Sequence, residues 1–312
     1  MPFIANSDLD IFPLALGGNT FGWTSNESTS HAVLDAFVEA GGNFVDTADG
    51  YSAWAPGNSG GESETIIGSW KAKHPGAELL VASKVSTHPE FKGLAPANIA
   101  AAADASLTRL QSETIDLYYA HFDDPEQDIE DIAAAFDELV SAGKIRYVGI
   151  SNFSPERAQA WIDHSKAAGL AVPVALQVQY NLVMRAKYED LYAPLAAAND
   201  LSVLPYSSLA SGFLSGKYRS EEDLGASPRG GGAQQFLTPD GFNVLGALDE
   251  IASSHGESVA AVALAWLLTR PNVIAPLASA RNVEQLPDLL AAASLTLTDR
   301  EIALLDASSS SF

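Results

Sequence analysis

The sequence predicts a closed barrel of eight parallel strands, each followed by a helix. Three observations carry this. Short β-prone runs alternate with alanine-rich segments of helical period, and strands that alternate with helices form parallel sheets. The alternation repeats eight times in 312 residues, as expected of a (β/α)8 barrel of roughly 250 residues or more. An open doubly wound sheet would instead carry a G-x-G-x-x-G turn, and the GGNTFG of residues 17–22 does not match it. The class is α/β: a single (β/α)8 barrel domain over residues 1–312, with extra C-terminal helices and a long loop after strand 7.

The elements follow in order. After an N-terminal segment suited to a short hairpin, strands are expected at 11–16, 44–46, 79–84, 115–119, 147–150, 175–178, 202–204 and 273–275. Helices are expected at 29–40, 62–73, 96–110, 129–142, 155–168, 188–198, 259–269 and 283–293. Two more amphipathic stretches, 242–254 and 298–307, read as additional helices; Thr298 and Glu301 have the spacing of a capping box. The tail 308–312 is expected to fray. Residues 218–241 break the rhythm with Gly225, Pro228, Gly230, Gly231, Gly232, Pro239 and Gly241. A loop this long is functional or disordered, so this one is expected to be a mobile lid or plain surface disorder.

Composition narrows the function. Apolar residues make up 47% and charged residues 18%, the balance of a soluble globular protein. No apolar run reaches the roughly 18 residues of a membrane span, and MPFIANSDLD lacks the features of a signal peptide. Cysteine is absent, which excludes disulfides, thiolate metal sites and a cysteine nucleophile. These features fit a cytoplasmic protein. The sequence holds no H-E-x-x-H metal motif and no G-x-S-x-G elbow, and no metal is expected. A net charge of −22 repels nucleic acid and anionic lipid at long range. It still permits a small phosphate-bearing ligand held by a local basic patch, and is otherwise read as solubility.

The stretch NFVDTADGYS, residues 43–52, carries the chemistry. A short apolar strand ends in Asp46, and a turn delivers Tyr51. The third strand ends at Lys84, and the fourth runs into His121. In a barrel the strand ends gather at one mouth. Taken singly, Lys84 could be any ion-paired lysine and His121 a satisfied core histidine. Together, a lysine beside the tyrosine would lower its pKa from about 10, the aspartate would hold the lysine, and the histidine would bond a substrate oxygen.

From Leu16 to about Leu290 the chain resembles the aldo-keto reductases. The matching motifs are NFVDTADGYS, VASKV (81–85), IDLYYAHFDDP (115–125), GKIRYVGISNF (143–153), LQVQYNL (176–182), LPYSSLASGFLSGKY (204–218) and APLASARNVEQL (275–286). The resemblance implies a barrel that reduces aldehydes or ketones to alcohols, or runs the reverse, with a nicotinamide cofactor. It makes Asp46, Tyr51, Lys84 and His121 the catalytic tetrad, with Tyr51 as general acid. Ser151, Asn152 and Gln177 match residues that hold the carboxamide, and Tyr206 the ring that stacks on the nicotinamide. Ser207, Leu209, Gly212, Leu214 and Lys217 match the loop along the pyrophosphate. Ser279, Arg281 and Gln285 match the adenosine region. Arg281, at the start of the last helix, can pair with a 2′-phosphate, so NADPH is expected in preference to NADH. The chain departs from many relatives at Ser52 and Ser279, where they carry glycine, and at Leu289, where they carry asparagine.

Trp23, Trp54, Phe122 and Phe153 fall on loops at the active mouth and are expected to wall the substrate pocket. Asp123 and Asp124 are expected to be solvated or to cap the next helix rather than to bind polyol hydroxyls. The substrate expected is a small carbonyl compound or alcohol, with no nucleic-acid or membrane partner. Two other classes stay open. One is a cofactor-binding regulatory subunit of the same fold with little turnover. The other is a lyase or isomerase using Lys84 as a Schiff-base amine.

Overall fold

The computed structural model describes residues 2–312. Eight parallel strands run in the spatial order β8-β1-β2-β3-β4-β5-β6-β7: β1 Ala15–Gly17, β2 Phe44–Asp46, β3 Leu80–Val85, β4 Ile115–Ala120, β5 Ile145–Ser151, β6 Ala175–Gln177, β7 Ser202–Val203 and β8 Leu277–Ala278. The barrel closes between β7 and the approach to β8. There Ile274 N–H donates to Val203 O at 3.1 Å, and Leu277 N–H donates to Pro205 O at 2.9 Å. The outer helices are α1 Glu27–Glu39, α2 Glu62–Lys73, α3 Pro96–Leu110, α4 Ile129–Ser141, α5 Pro155–Ala168, α6 Ala193–Asn199, α7 Pro239–His255, α8 Val259–Leu268, α9 Leu286–Leu290 and α10 Asp299–Ser308.

The alternation of side chains along a strand sorts the residues into two cores. Phe44, Ala82, Leu117, Tyr119, Ala175 and Leu277 form an inner cluster. Ile4, Leu9 and Ile11 of the N-terminal segment join it and plug the lower end. Val45, Val81, Tyr118 and Ile150 belong to the outer cluster with the helices. The parity has a direct consequence for the upper end. Asp46 lies two residues beyond Phe44, Lys84 two beyond Ala82, and Gln177 two beyond Ala175, so all three continue the inward-facing rows. The register sets Asp46 beside Ala82 and Lys84 beside Tyr119. Gly149 makes room for Tyr119, because a Cβ there would stand 2.3 Å from the Tyr119 ring. Gly149→Ala would therefore force the inward-facing Tyr119 ring to move.

The structure corrects several boundaries. The first strand begins at Ala15 rather than residue 11, since Pro13 has no N–H to offer a ladder. The eighth strand is Leu277–Ala278; residues 273–275 make only the closing contacts to β7. The sixth helix opens as a π turn, Tyr188–Tyr192, before Pro194 starts α6. The last barrel helix is broken into Val283–Gln285, α9 and Ala291–Ala293; Pro287 removes one of its N–H donors. A small hairpin, Thr87–His88 with Phe91–Lys92, follows β3, and the sequence gives little sign of it.

The long loop is neither plain nor disordered. Residues Glu221–Ala226 form a 3-10 segment closed by a Ser220–Asp223 capping box, and Gly230–Ala233 and Gln234–Phe236 add two helical turns. Phe236 is buried and packs on Phe213 at 5.6 Å, which anchors the segment. Helix α7 starts at Pro239, with the Thr238 side chain accepting from Gly241 N–H. The tail is tied down as well: Arg185 and Ala186 N–H donate to Phe312 O at 3.0 and 2.9 Å. The capping box of Thr298 and Glu301 forms as expected. Among the described residues no single helix is long and apolar enough to cross a membrane.

Candidate active site

The upper ends of β2, β3 and β4 bring four groups together. Lys84, fully buried, donates from Nζ to Asp46 Oδ1 at 2.5 Å, to Thr47 O at 2.6 Å and to Tyr51 Oη at 3.1 Å. The other Asp46 oxygen accepts from Gln177 Nε2 at 2.8 Å. His121 sits edge-on to Tyr51, ring centres 5.9 Å apart, and its backbone N–H donates to Val85 O at 3.0 Å. All three ammonium hydrogens are thus used, one of them on the phenol. A buried charge without a partner costs several kcal/mol, so Asp46 is what permits a lysine inside the barrel.

The electrostatics correct one expectation. Burial pushes the Tyr51 phenol above its ordinary value; Lys84 pulls it down, but Asp46 pushes it up again, and the net direction is upward. Lys84 alone would leave the phenol lowered, but burial outweighs its pull and Asp46 opposes it further. Burial disfavours the Lys84 ammonium, yet Asp46 and Tyr51 outweigh that and raise it. Burial, then the Lys84 charge, holds His121 well below the usual histidine range, so its ring is neutral. The arrangement can keep a proton on Tyr51, stabilise the oxygen left when it departs, and offer one neutral ring nitrogen to a bound oxygen.

These groups stand at one end of a cavity of about 540 Å³. Asp46, Tyr51, His121, Asn152, Gln177 and Tyr206 line that end. Ser207, Leu209, Gly212, Lys217, Ser279, Arg281 and Gln285 line the rest, toward the outer end. Several are fixed by one another. Asn152 Nδ2 donates to His121 O at 2.9 Å, and Tyr206 Oη donates to Asn152 Oδ1 at 2.8 Å. Gln285 Oε1 accepts from Arg281 N–H at 2.9 Å. Ser279 Oγ donates to Asn19 Oδ1 at 2.6 Å. Its closeness explains Gly17, where a Cβ would stand 2.4 Å from that hydroxyl.

Other expected residues lie off the wall. Lys84 and Ser151 are fully buried behind it. Leu214 is in the outer core. Phe153 is a correction: 1% exposed, it packs on Trp161 at 5.6 Å in the core under α5 and does not reach the cavity. Trp23 and Trp54 stand at the mouth as an edge-on pair at 5.6 Å, with Trp54 6.1 Å from Tyr51. Trp54 and Phe122 are 53% and 47% exposed, which leaves one open aromatic surface beside Tyr51 and another beside His121. Asp123 is neither solvated nor a cap, since it pairs with Arg157 at 2.7 Å. Asp124 accepts the Leu94 and Glu126 N–H groups. Ser52 is buried; its hydroxyl donates to Phe21 O at 2.7 Å, and its φ of 69° is the backbone shape that favours glycine.

The sequence reading missed Asn19, Ser211, Arg229 and Asp288 on the wall. Arg229 matters most. With Lys217 and Arg281 it gives the cavity three cations, none ion-paired with a carboxylate among the described residues. Burial, then the facing Arg281, pushes the Arg229 guanidinium below its ordinary value, a tension that an anion would relieve. An arginine inside the glycine run SPRGGG was the available signal, since such a run is where backbone approaches a ligand.

A family model described as Aldo/keto reductase family matches residues 13–310. The chain is 31% identical to Protein tas of Escherichia coli strain K12, over 97% of this chain and 96% of that protein. It is 31% identical to Aldo-keto reductase YhdN of Bacillus subtilis, over 92% of this chain and 85% of that one. It is also 30% identical to Norsolorinic acid reductase B of Aspergillus parasiticus, over 95% of this chain and 80% of that one.

Proposed function

The chain belongs to the aldo/keto reductase family, an oxidoreductase family acting on carbonyl compounds, and from that premise we propose that it reduces aldehydes or ketones with NADPH. We read residues 1–312 as one barrel domain carrying this site. The observation that carries the reading is the Lys84 ammonium shared between Asp46 and Tyr51 at the floor of a cavity whose other end holds three cations. A bound reduced nicotinamide would supply the hydride. The chain's own residues do the rest. Asn152 and Gln177 would orient the carboxamide, and Tyr206 would stack on the ring. Lys217 and the N–H groups near Gly212 would take the pyrophosphate, and Arg281 with Arg229 the 2′-phosphate. Those cations fit NADPH better than NADH, which could still bind.

Tyr51 would act as the general acid, its proton passing from Oη to the substrate oxygen. Lys84 would stabilise the phenolate that remains, and Asp46 would keep Lys84 charged and in place. General acids of this kind contribute about 10²–10⁴ in rate. His121 would hydrogen-bond the carbonyl oxygen as charge grows on it. The open faces of Trp54 and Phe122, with Trp23 behind, favour a flat apolar substrate, so aromatic aldehydes and ketones come first.

The test is NADPH consumption over a panel of aromatic, aliphatic and sugar carbonyls, with Tyr51→Phe beside the wild type. Turnover that falls at least 10²-fold in the variant, with NADPH binding kept, is the expected result. Near-normal turnover in Tyr51→Phe contradicts the assigned acid. Tight NADPH binding without turnover on any carbonyl would point to the regulatory-subunit alternative.

A further inference from the structure

Two groups that the reaction above does not use stand behind His121. Asp49, fully buried on the turn between Asp46 and Tyr51, accepts from Thr87 Oγ1 at 3.2 Å through Oδ1 and from Ser86 N–H at 3.3 Å through Oδ2. The same Thr87 Oγ1 lies 3.4 Å from His121 Nδ1. The contact is built into the fold. Gly50 lets the hairpin approach this closely, since a Cβ there would stand 2.4 Å from Thr87 Oγ1 and 2.9 Å from its backbone. Ser86 turns the chain with φ 122°, a conformation L side chains rarely adopt, and its Oγ accepts from Phe122 N–H at 3.2 Å. Strain of this kind is kept only where surroundings enforce it.

A threonine hydroxyl has one hydrogen, and a neutral imidazole has one N–H and one bare nitrogen. Thr87 can therefore donate to Asp49 or to His121, but not to both. We propose that Asp49 is a positioning residue for carbonyl reduction: through the single hydrogen of Thr87 Oγ1, its protonation selects which ring nitrogen of His121 carries the hydrogen. This rests on the reductase reading of the site. With Asp49 protonated, its hydroxyl donates to Thr87, Thr87 donates to His121 Nδ1, and the imidazole hydrogen is on Nε2, the nitrogen free to serve a substrate oxygen. With Asp49 ionised, Thr87 donates to the carboxylate and Nδ1–H donates to Thr87. Nε2 then offers only a lone pair, which cannot stabilise a carbonyl oxygen gaining charge. In passing between these states Asp49 exchanges one proton with solvent, and His121 loses one at one nitrogen and gains one at the other.

The surroundings allow Asp49 to take both forms. No cation pairs with it among the described residues. Glu64 of α2 faces it with like charge, although Arg109 of α3 holds Glu64 at 2.7 Å. The Tyr118 phenol of β4 also faces it and is neutral. His88 of the hairpin lies near Glu64 and Arg109, and Lys84 is committed to Asp46. Burial, then Glu64, pushes the Asp49 carboxyl up to about 7, against the hydrogen bonds from Ser86 N–H, Thr87 Oγ1 and Gly50 N–H.

The experiment is long-range ¹H–¹⁵N correlation on protein labelled at histidine, between about pH 5.5 and 8.5. One of six histidines is assigned to position 121 by its loss in His121→Gln. The expected result is hydrogen on Nε2 at low pH and on Nδ1 at high pH, with a midpoint near 7. In Asp49→Asn the amide oxygen takes Ser86 N–H, so the NH₂ faces Thr87 and Nε2 should stay protonated throughout. Thr87→Val should abolish the pH response and Thr87→Ser restore it. kcat/KM for reduction should fall by about 10–10² across the midpoint in the wild type but not in Asp49→Asn. A His121 tautomer that does not change with pH in the wild type overturns the proposal, even if Asp49→Asn fails to fold. A tautomer response unaffected by Thr87→Val overturns it as well. A tautomer change in a protein that reduces no carbonyl upholds the relay and contradicts the reductase reading.

Discussion

The two ends of the cavity are built on opposite principles. At the inner end Asp46, Lys84 and Gln177 lie on regular strands, are buried, and satisfy one another within the chain. At the outer end the wall is loop. Ser207, Ala210 and Ser211 hold φ of 54°, 47° and 58°, each costing about 1–2 kcal/mol for a residue other than glycine, and three cations lack carboxylate partners among the described residues. The inner end is finished by folding; the outer end, on the proposed reading, would be finished by the cofactor. A device that handles one proton gains from being rigid and complete. A device that grips a multiply charged molecule must leave its charges unspent until that molecule arrives.

Substitutions should separate the two ends. The largest effect on stability belongs to the inner end. Asp46→Ala strands the Lys84 ammonium and should cost about 3–5 kcal/mol in chemical denaturation, whereas Arg281→Ala should leave stability within about 0.5 kcal/mol. Equal losses would erase the contrast. Next comes pH. The folded state binds the Asp49 proton more tightly than the unfolded chain, near 7 against an ordinary 3.8. The stability it contributes is therefore whole below about pH 4, declines as pH rises, and is gone above about 7. Asp49→Asn lacks this term. Its stability relative to wild type should climb between about pH 4 and 7.5, by up to about 4 kcal/mol, and a flat difference would contradict the raised carboxyl.

At the outer end, Arg281→Ala and Arg229→Ala should each weaken NADPH by about 1.5–3 kcal/mol and leave NADH nearly unchanged, as read by fluorescence titration. Equal weakening of both cofactors would remove the 2′-phosphate from that rim. The smallest effect is at the mouth. Trp54→Ala should lower kcat/KM for an aromatic ketone by roughly 1 kcal/mol while sparing a short aliphatic aldehyde; equal loss on both would mean Trp54 supports the fold rather than the substrate.

Legibility in the sequence follows the same divide. Asp46, Lys84 and His121 could be placed because a period of two and the ends of parallel strands fix side chains without any detail of packing. The barrel followed from eight alternations, although β1 and β8 were misplaced by Pro13 and by closure contacts that look like strand. Loops were harder. Phe153 reads like a pocket aromatic, since nothing local shows that α5 and Trp161 enclose it. Arg229 and Thr87 sit on segments folded back from elsewhere, a glycine-rich turn and a small hairpin, whose paths depend on what they pack against. The direction of the Tyr51 shift depends on burial, which residue types alone do not reveal.

The most direct measurement follows a deuterium label from C4 of NADPH into product, by mass spectrometry and NMR, using the best aromatic carbonyl from the panel. Label on the carbinol carbon, from one of the two C4 positions only and lost in Tyr51→Phe, is the predicted result. Product formed without label there, or NADPH bound tightly with no transfer to any carbonyl, would contradict hydride reduction at this site.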